Sequence, residues 1–66
     1  MDIPARKQQF FEHLYDQGTT PRQWAIKNNL HYHTVISIFS GSVKGQFGKA
    51  RQVRLAIEKE LTNINA

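Results

Sequence analysis

Ala25, Asn29, Leu30, Val35 and Ile38 are spaced in a way that few arrangements of chain accommodate. A small residue inside one helix lets a second helix pack closely across it, and Ala25 is that residue. Four positions on, the chain must turn with a positive φ. Asn29 sits there, and Asn is one of the few residues besides Gly that visit the left-handed region. Leu30 then plugs the gap between two helices. Val35 and Ile38, five and eight positions beyond Leu30, supply the buried side of the second one. Two helices crossing at roughly 90–120° about a tight turn follow from that spacing. No alternating run of β-branched residues reaches useful length. The expected fold class is therefore all-α, a compact bundle of about four short helices.

Local signals place those helices. The first covers residues 3–17. Asp2 can cap it, Pro4 is tolerated in its first turn, and Phe10, Phe11 and Leu14, with Ile3 and Lys7 more weakly, form one stripe. Gly18 ends it. Thr20-Pro21-Arg22-Gln23 then offers a hydroxyl cap, Pro at the first helical position and Gln three residues after the cap, a capping-box signature. This short second helix runs to residue 28 and carries Trp24, expected in the core beside Phe10, Phe11, Leu14 and Phe39. The third helix covers residues 32–40 and is broken by Gly41. Gly41, Gly45 and Gly48 place three glycines in eight residues, which marks a loop with special backbone angles. Phe47 in that loop either anchors it or sits at an interface. The fourth helix covers residues 49–61, with Ala50, Val53, Ile57 and Leu61 on one stripe that Ala56 widens. Residues 1–62 read as a single domain and residues 63–66 as a frayed tail.

At 66 residues there is room for one domain only. Without cysteine there is neither a disulfide framework nor a thiolate zinc site, so the fold rests on packing, with dimerisation as a further support. The net charge of +4 is distributed unevenly. Asp2, Glu12, Asp16, Glu58 and Glu60 lie in the flanks, and no acid falls between positions 17 and 57, where Arg22, Lys27, Lys44, Lys49, Arg51 and Arg54 lie. A basic centre of this kind suits a polyanion. No apolar run approaches the roughly 20 residues that span a bilayer. Met1-Asp2-Ile3-Pro4 lacks the cationic start and apolar stretch of a secretory signal, so a cytoplasmic protein, nucleoid-associated in a bacterial host, is expected. Enzymatic chemistry finds no constellation to carry it. His31 and His33, two apart on a helix, point away from each other, Glu12-His13 has no third partner, and the serines lack a placed base. No cofactor, metal, membrane or small-molecule substrate is expected.

Thr20-Pro21-Arg22-Gln23-Trp24-Ala25-Ile26-Lys27-Asn28-Asn29-Leu30, followed by Val35 and Ile38-Phe39-Ser40-Gly41, resembles the helix-turn-helix of lambda-repressor-like and Cro-like domains. The resemblance covers residues 20–41 and extends more loosely to Leu61. The chain is also similar to the very small phage-encoded regulators of this class, in which a Trp-Ala pair in the first motif helix is followed by a Gly-rich basic loop. Asn29 in place of Gly is a departure, and the short helix count leaves the usual dimerising helix unassigned. The resemblance implies a sequence-specific double-stranded DNA-binding protein, a phage or prophage transcriptional repressor. Two alternatives keep the fold: an excisionase or architectural factor that bends DNA, and a protein-interaction module using the same helices.

In such a domain the third helix lies in the major groove with its N-terminal residues toward the bases. The face away from Leu30, Val35 and Ile38 carries His31, Tyr32, His33, Thr34, Ile36 and Ser37, the base-facing candidates. Ile36 suits a thymine methyl, or else is buried against the fourth helix. The segment has no Arg, Asn or Gln for a bidentate base contact, so shape and phosphate terms should contribute much of the affinity. Phosphate-binding candidates are Thr20, Arg22 and Gln23 at the second helix start, Ser42, Lys44, Gln46 and Gly48 in the loop, and Lys49, Arg51 and Arg54 beyond it. Gly45 and Gly48 would admit backbone close to a phosphate. Two-fold operators call for a homodimer, at least on DNA, with Ile57, Leu61 and Ile64 as its candidate contacts. Lys27 has no place in this scheme.

Overall fold

The computed structural model describes residues 2–64. Among them the regular structure is entirely helical: a 3-10 turn at Pro4–Arg6, α1 at Lys7–Asp16, α2 at Pro21–Lys27, α3 at Tyr32–Ser40 and α4 at Gly48–Ile64. The all-α expectation holds. The first expected helix divides in two. Its opening turn tightens so that the Arg6 N–H donates to the Ile3 carbonyl at 3.0 Å, while Asp2 Oδ1 accepts from the Ala5 N–H at 3.4 Å.

Short-range chemistry sets the boundaries. Thr20 takes an extended backbone and its Oγ1 accepts from the Gln23 N–H at 3.2 Å. The reciprocal half of the capping box is replaced, because Gln23 Oε1 accepts from the Thr19 hydroxyl at 3.4 Å. After α2, Asn29 adopts φ +60°, and the Leu30 N–H closes the turn onto the Ala25 carbonyl at 2.8 Å. The His31 carbonyl accepts from the Thr34 and Val35 N–H groups at 3.0 and 3.1 Å and so starts α3. Gly41 ends α3 with φ +85°. That value lies in the left-handed region, where an L side chain costs about 1–2 kcal/mol.

α4 is longer than the apolar pattern up to Leu61 suggests. Ile64, three positions on, is half-buried against the core, and that contact gives the last turn a reason to persist. Of the expected tail, Asn63 and Ile64 belong to α4, and Asn65 and Ala66 lie outside the described residues.

Among the described residues, eleven side chains form the core: Ile3, Phe10, Leu14, Trp24, Ala25, Val35, Ile38, Phe39, Val53, Ile57 and Leu61. Phe10 is its hub. Its ring meets Trp24 edge-on with centroids 5.0 Å apart and Phe39 at 4.9 Å, while Phe11 meets Phe39 edge-on at 5.6 Å. Aromatic pairs in such geometry add about 0.5–1.5 kcal/mol each beyond the area they bury. Ala25 is wholly buried, as a close approach of α2 and α3 requires. Ile57 and Leu61 are also wholly buried within the one chain, and Ile64 is half-covered. The expectation that Ile57 and Leu61 form a dimer contact is therefore corrected: that part of the apolar stripe of α4 is used by the fold itself.

One polar cluster ties three helices together. Trp24 Nε1 donates to Glu60 Oε1 at 3.0 Å, and Glu60 Oε2 lies 3.4 Å from His13 Nε2. His13 therefore has a partner after all, supplied by α4 rather than by its sequence neighbours. Gln17 Nε2 also approaches the same ring nitrogen at 3.1 Å.

Candidate nucleic-acid interface

The outer side of α3 carries no charged residue between Tyr32 and Ser40. His31 and His33 are exposed, and Thr34, Ile36 and Ser37 are half-buried. Tyr32 departs from the expected arrangement, since its ring packs against the core. It precedes Val35 by three positions and Phe39 by seven, which puts it on the inner stripe. It is half-buried, and its ring centroid lies 6.0 Å from that of His33. Ile36 is neither freely exposed nor part of the core.

The two histidines do not diverge. Their ring centroids are 5.6 Å apart. His31 precedes the helix with φ −82° and ψ 114°, so the rule for residues two apart within a helix does not govern it. Thr34 Oγ1 lies 3.4 Å from His31 Nδ1 and holds that ring over the first turn. Among the described residues, no cluster of three or more His, Cys, Asp or Glu side chains is placed to hold a metal.

Cations sit at both ends of this neutral helix. At its start, Lys49 and Gln52 of α4 line a depression together with His31, Leu30, Asn29 and Ile26. At its end, Lys44 and Arg54 line another with Ile38, Gly41 and Val43. Arg22, Lys44, Lys49 and Arg51 are exposed. The ion pairs among the described residues are His13–Glu60 and Arg54–Glu58, so none of those four cations is neutralised within the fold. Lys27 lies elsewhere, beside a depression lined by Glu60, Trp24 and Thr19.

Thr20, Gln23, Ser42, Gln46 and Gly48 are exposed as well. Thr20 Oγ1 accepts the cap bond and keeps its own O–H free to donate. Gly48 opens α4 with φ +58°, and a Cβ built on it would meet nothing within 4 Å, so this helix start faces open space.

Arg54 does not belong with the phosphate candidates. Its Nε donates to the Gly45 carbonyl at 2.8 Å and its Nη1 lies 3.4 Å from Glu58 Oε1. The side chain is turned inward to hold the glycine loop. Gly45 is buried beneath it with φ +72°, and a Cβ there would lie 2.8 Å from Arg54 Cβ. The room at Gly45 is taken by the protein's own arginine, so it offers no close approach to a phosphate. Phe47 does not anchor the loop, since its side chain is 82% exposed.

Three surface residues were not foreseen. Ile26 is 66% exposed beside the α2–α3 turn. Gln52 shares its depression. Ser40 ends the outer face of α3, donating to the Ser37 carbonyl at 2.9 Å and lying 2.9 Å from Ser42 Oγ. Only Ser40 had a sequence signal, three positions beyond Ser37 on the same helical face. No protein-family model matches the chain, and comparisons with curated proteins and with solved structures return no match.

Proposed function

We propose that this chain binds double-stranded DNA as a small sequence-reading regulator, with α3 against the major groove and cations at either end of it on the phosphates. The observation that carries this reading is the charge arrangement. A helix with a polar, uncharged outer face is bracketed by Lys49 at its start and Lys44 at its end, and neither lysine has an ion-pair partner among the described residues. Phosphate contacts hold and orient a protein on a duplex, while hydrogen bonds and apolar contacts to base edges select the sequence. His33, Thr34 and Ser37 can donate to or accept from base edges. Lys44, Lys49, Arg51 and Arg22 supply attraction that does not depend on sequence. Repression of transcription is the job the resemblance implies for such a domain.

The test is fluorescence anisotropy on a random duplex through a salt series, followed by selection of bound sequences from a random pool. Binding should weaken steeply with salt. Lys49→Ala should lower the salt slope by about one unit and weaken all sequences alike, whereas His33→Ala should alter which bases are selected. Absence of binding to random duplex at low salt would refute the proposal. If the two variants behaved identically, α3 would not be the reading element.

A further inference from the structure

We infer that Phe47 is an apolar wedge that enters a bound duplex and unstacks a base step; this inference rests on the DNA-binding reading above. Among the described residues, Phe47 is the most exposed of the large hydrophobic ones, at 82%. The fold gives it no packing role. The backbone beneath it is nevertheless braced from α4 at two points. The Phe47 carbonyl accepts from the Arg51 N–H at 3.2 Å, and two residues earlier the Gly45 carbonyl accepts from Arg54 Nε at 2.8 Å. Gly45 is buried under the arginine stem, which fixes the loop against that helix. A bare aromatic ring is thus presented on a held backbone rather than left on a slack one.

Its surroundings define the ligand. Lys44, Lys49 and Arg51 lie within four positions of it in the chain, are exposed and form no ion pair among the described residues. An exposed ring in so basic a segment fits a partner that combines a polyanionic backbone with apolar aromatic faces, which is the chemistry of nucleic acid. Proteins that insert apolar side chains between base steps kink the duplex and so gain contact with more of it. An anionic bilayer would also attract the cations, but it rewards a broad apolar face. Here the residues next to Phe47 in the chain are Gly45, Gln46, Gly48 and Lys49, none of them apolar and bulky, and the other apolar loop residue, Val43, is less exposed and lines a depression with Ile3 and Ile38.

The experiment uses the full chain, Phe47→Ala and Phe47→Trp. Short duplexes carry 2-aminopurine at successive positions, and anisotropy is read through a salt series on the same samples. Binding of the wild-type chain should raise 2-aminopurine emission at one or two adjacent positions. Phe47→Ala should keep the salt slope, lose the rise in emission and bind roughly tenfold more weakly, while Phe47→Trp should keep the rise. Circular dichroism should be unchanged in both variants, because the side chain is outside the core. If the wild-type chain binds duplex without any rise, or if Phe47→Ala gives the same rise, the wedge is wrong and the DNA reading stands. If the wild-type chain does not bind duplex at low salt, both fall. If Phe47→Ala instead abolishes binding to phosphatidylglycerol vesicles and leaves duplex unstacking intact, the ring serves a membrane and the inference is overturned.

Discussion

Replacing Gly45 by Ala tests whether the loop after α3 is clamped by α4, and the structure sets the size of the effect. Gly45 has φ +72°, a conformation that costs an L residue about 1–2 kcal/mol. The added Cβ would lie 2.8 Å from Arg54 Cβ and 3.1 Å from both the Ala50 carbonyl oxygen and Arg54 Cδ. Two of those three atoms are fixed by the α4 backbone and cannot swing aside as the end of a side chain would. The loop must lift instead, and overpacking of this kind costs about 1–3 kcal/mol. Stiffening of the unfolded chain returns about 0.4–1 kcal/mol. The expected loss is about 3 kcal/mol. Gly18→Ala is the control. Gly18 has a similar φ, +77°, but a Cβ there meets nothing within 4 Å, so it should lose only about 1 kcal/mol. Urea denaturation followed through Trp24, the single tryptophan, reads both variants. With an m value of about 1 kcal/mol/M for a domain this small, the two midpoints should differ by about 2 M. Midpoints that agree within about 0.5 M would refute the clamp, since backbone strain alone would then account for both variants.

Other substitutions probe the remaining joints. Glu60→Ala removes the acceptor of the Trp24 indole N–H and the partner of His13, and should cost about 1–3 kcal/mol in a urea titration, whereas Glu60→Gln keeps an amide oxygen for the indole and should cost less. Asn29→Ala should destabilise by about 1 kcal/mol because φ there is +60°, and Asn29→Gly should be neutral or stabilising in thermal melts. Thr20→Ala should lose about 1 kcal/mol of stability with the Gln23 cap bond, and Thr20→Ser should recover most of it.

The parts of the fold legible in the sequence are those decided within a few residues. The Thr20 cap, the left-handed Asn29 and Gly41 and the limits of α3 all follow from local spacing. What lay beyond reach depended on distant partners. His13 and Glu60 are 47 positions apart, and nothing near either residue announces the pairing. Arg54 reads like Arg51 in the sequence, yet one turns in to Gly45 and the other faces solvent. That choice depends on a loop whose path local spacing does not set. The extension of α4 to Ile64 likewise depends on a core surface being there to receive the isoleucine. Tyr32 was within reach: its spacing of three and seven to Val35 and Phe39 marks the inner stripe. Of the candidate interface, the exposed positions on α3 and most of the basic positions around it were legible, while Ile26 and Gln52 were not, because exposure at a helix junction is set by the crossing of two elements.

Val53, Ile57 and Leu61 bear on the order in which this chain can fold during synthesis. These three of the eleven core side chains lie in α4, and Glu60 reaches back from there to α1 and α2. α1 and α2 have ten and seven residues, too short to persist as isolated helices in water. A nascent chain therefore lacks three core side chains and the acceptor of the Trp24 indole until α4 has emerged. Folding becomes one late, all-or-none event, and any chain interrupted before that helix stays open to proteases. Quality control of unfinished copies is thereby a by-product of the topology.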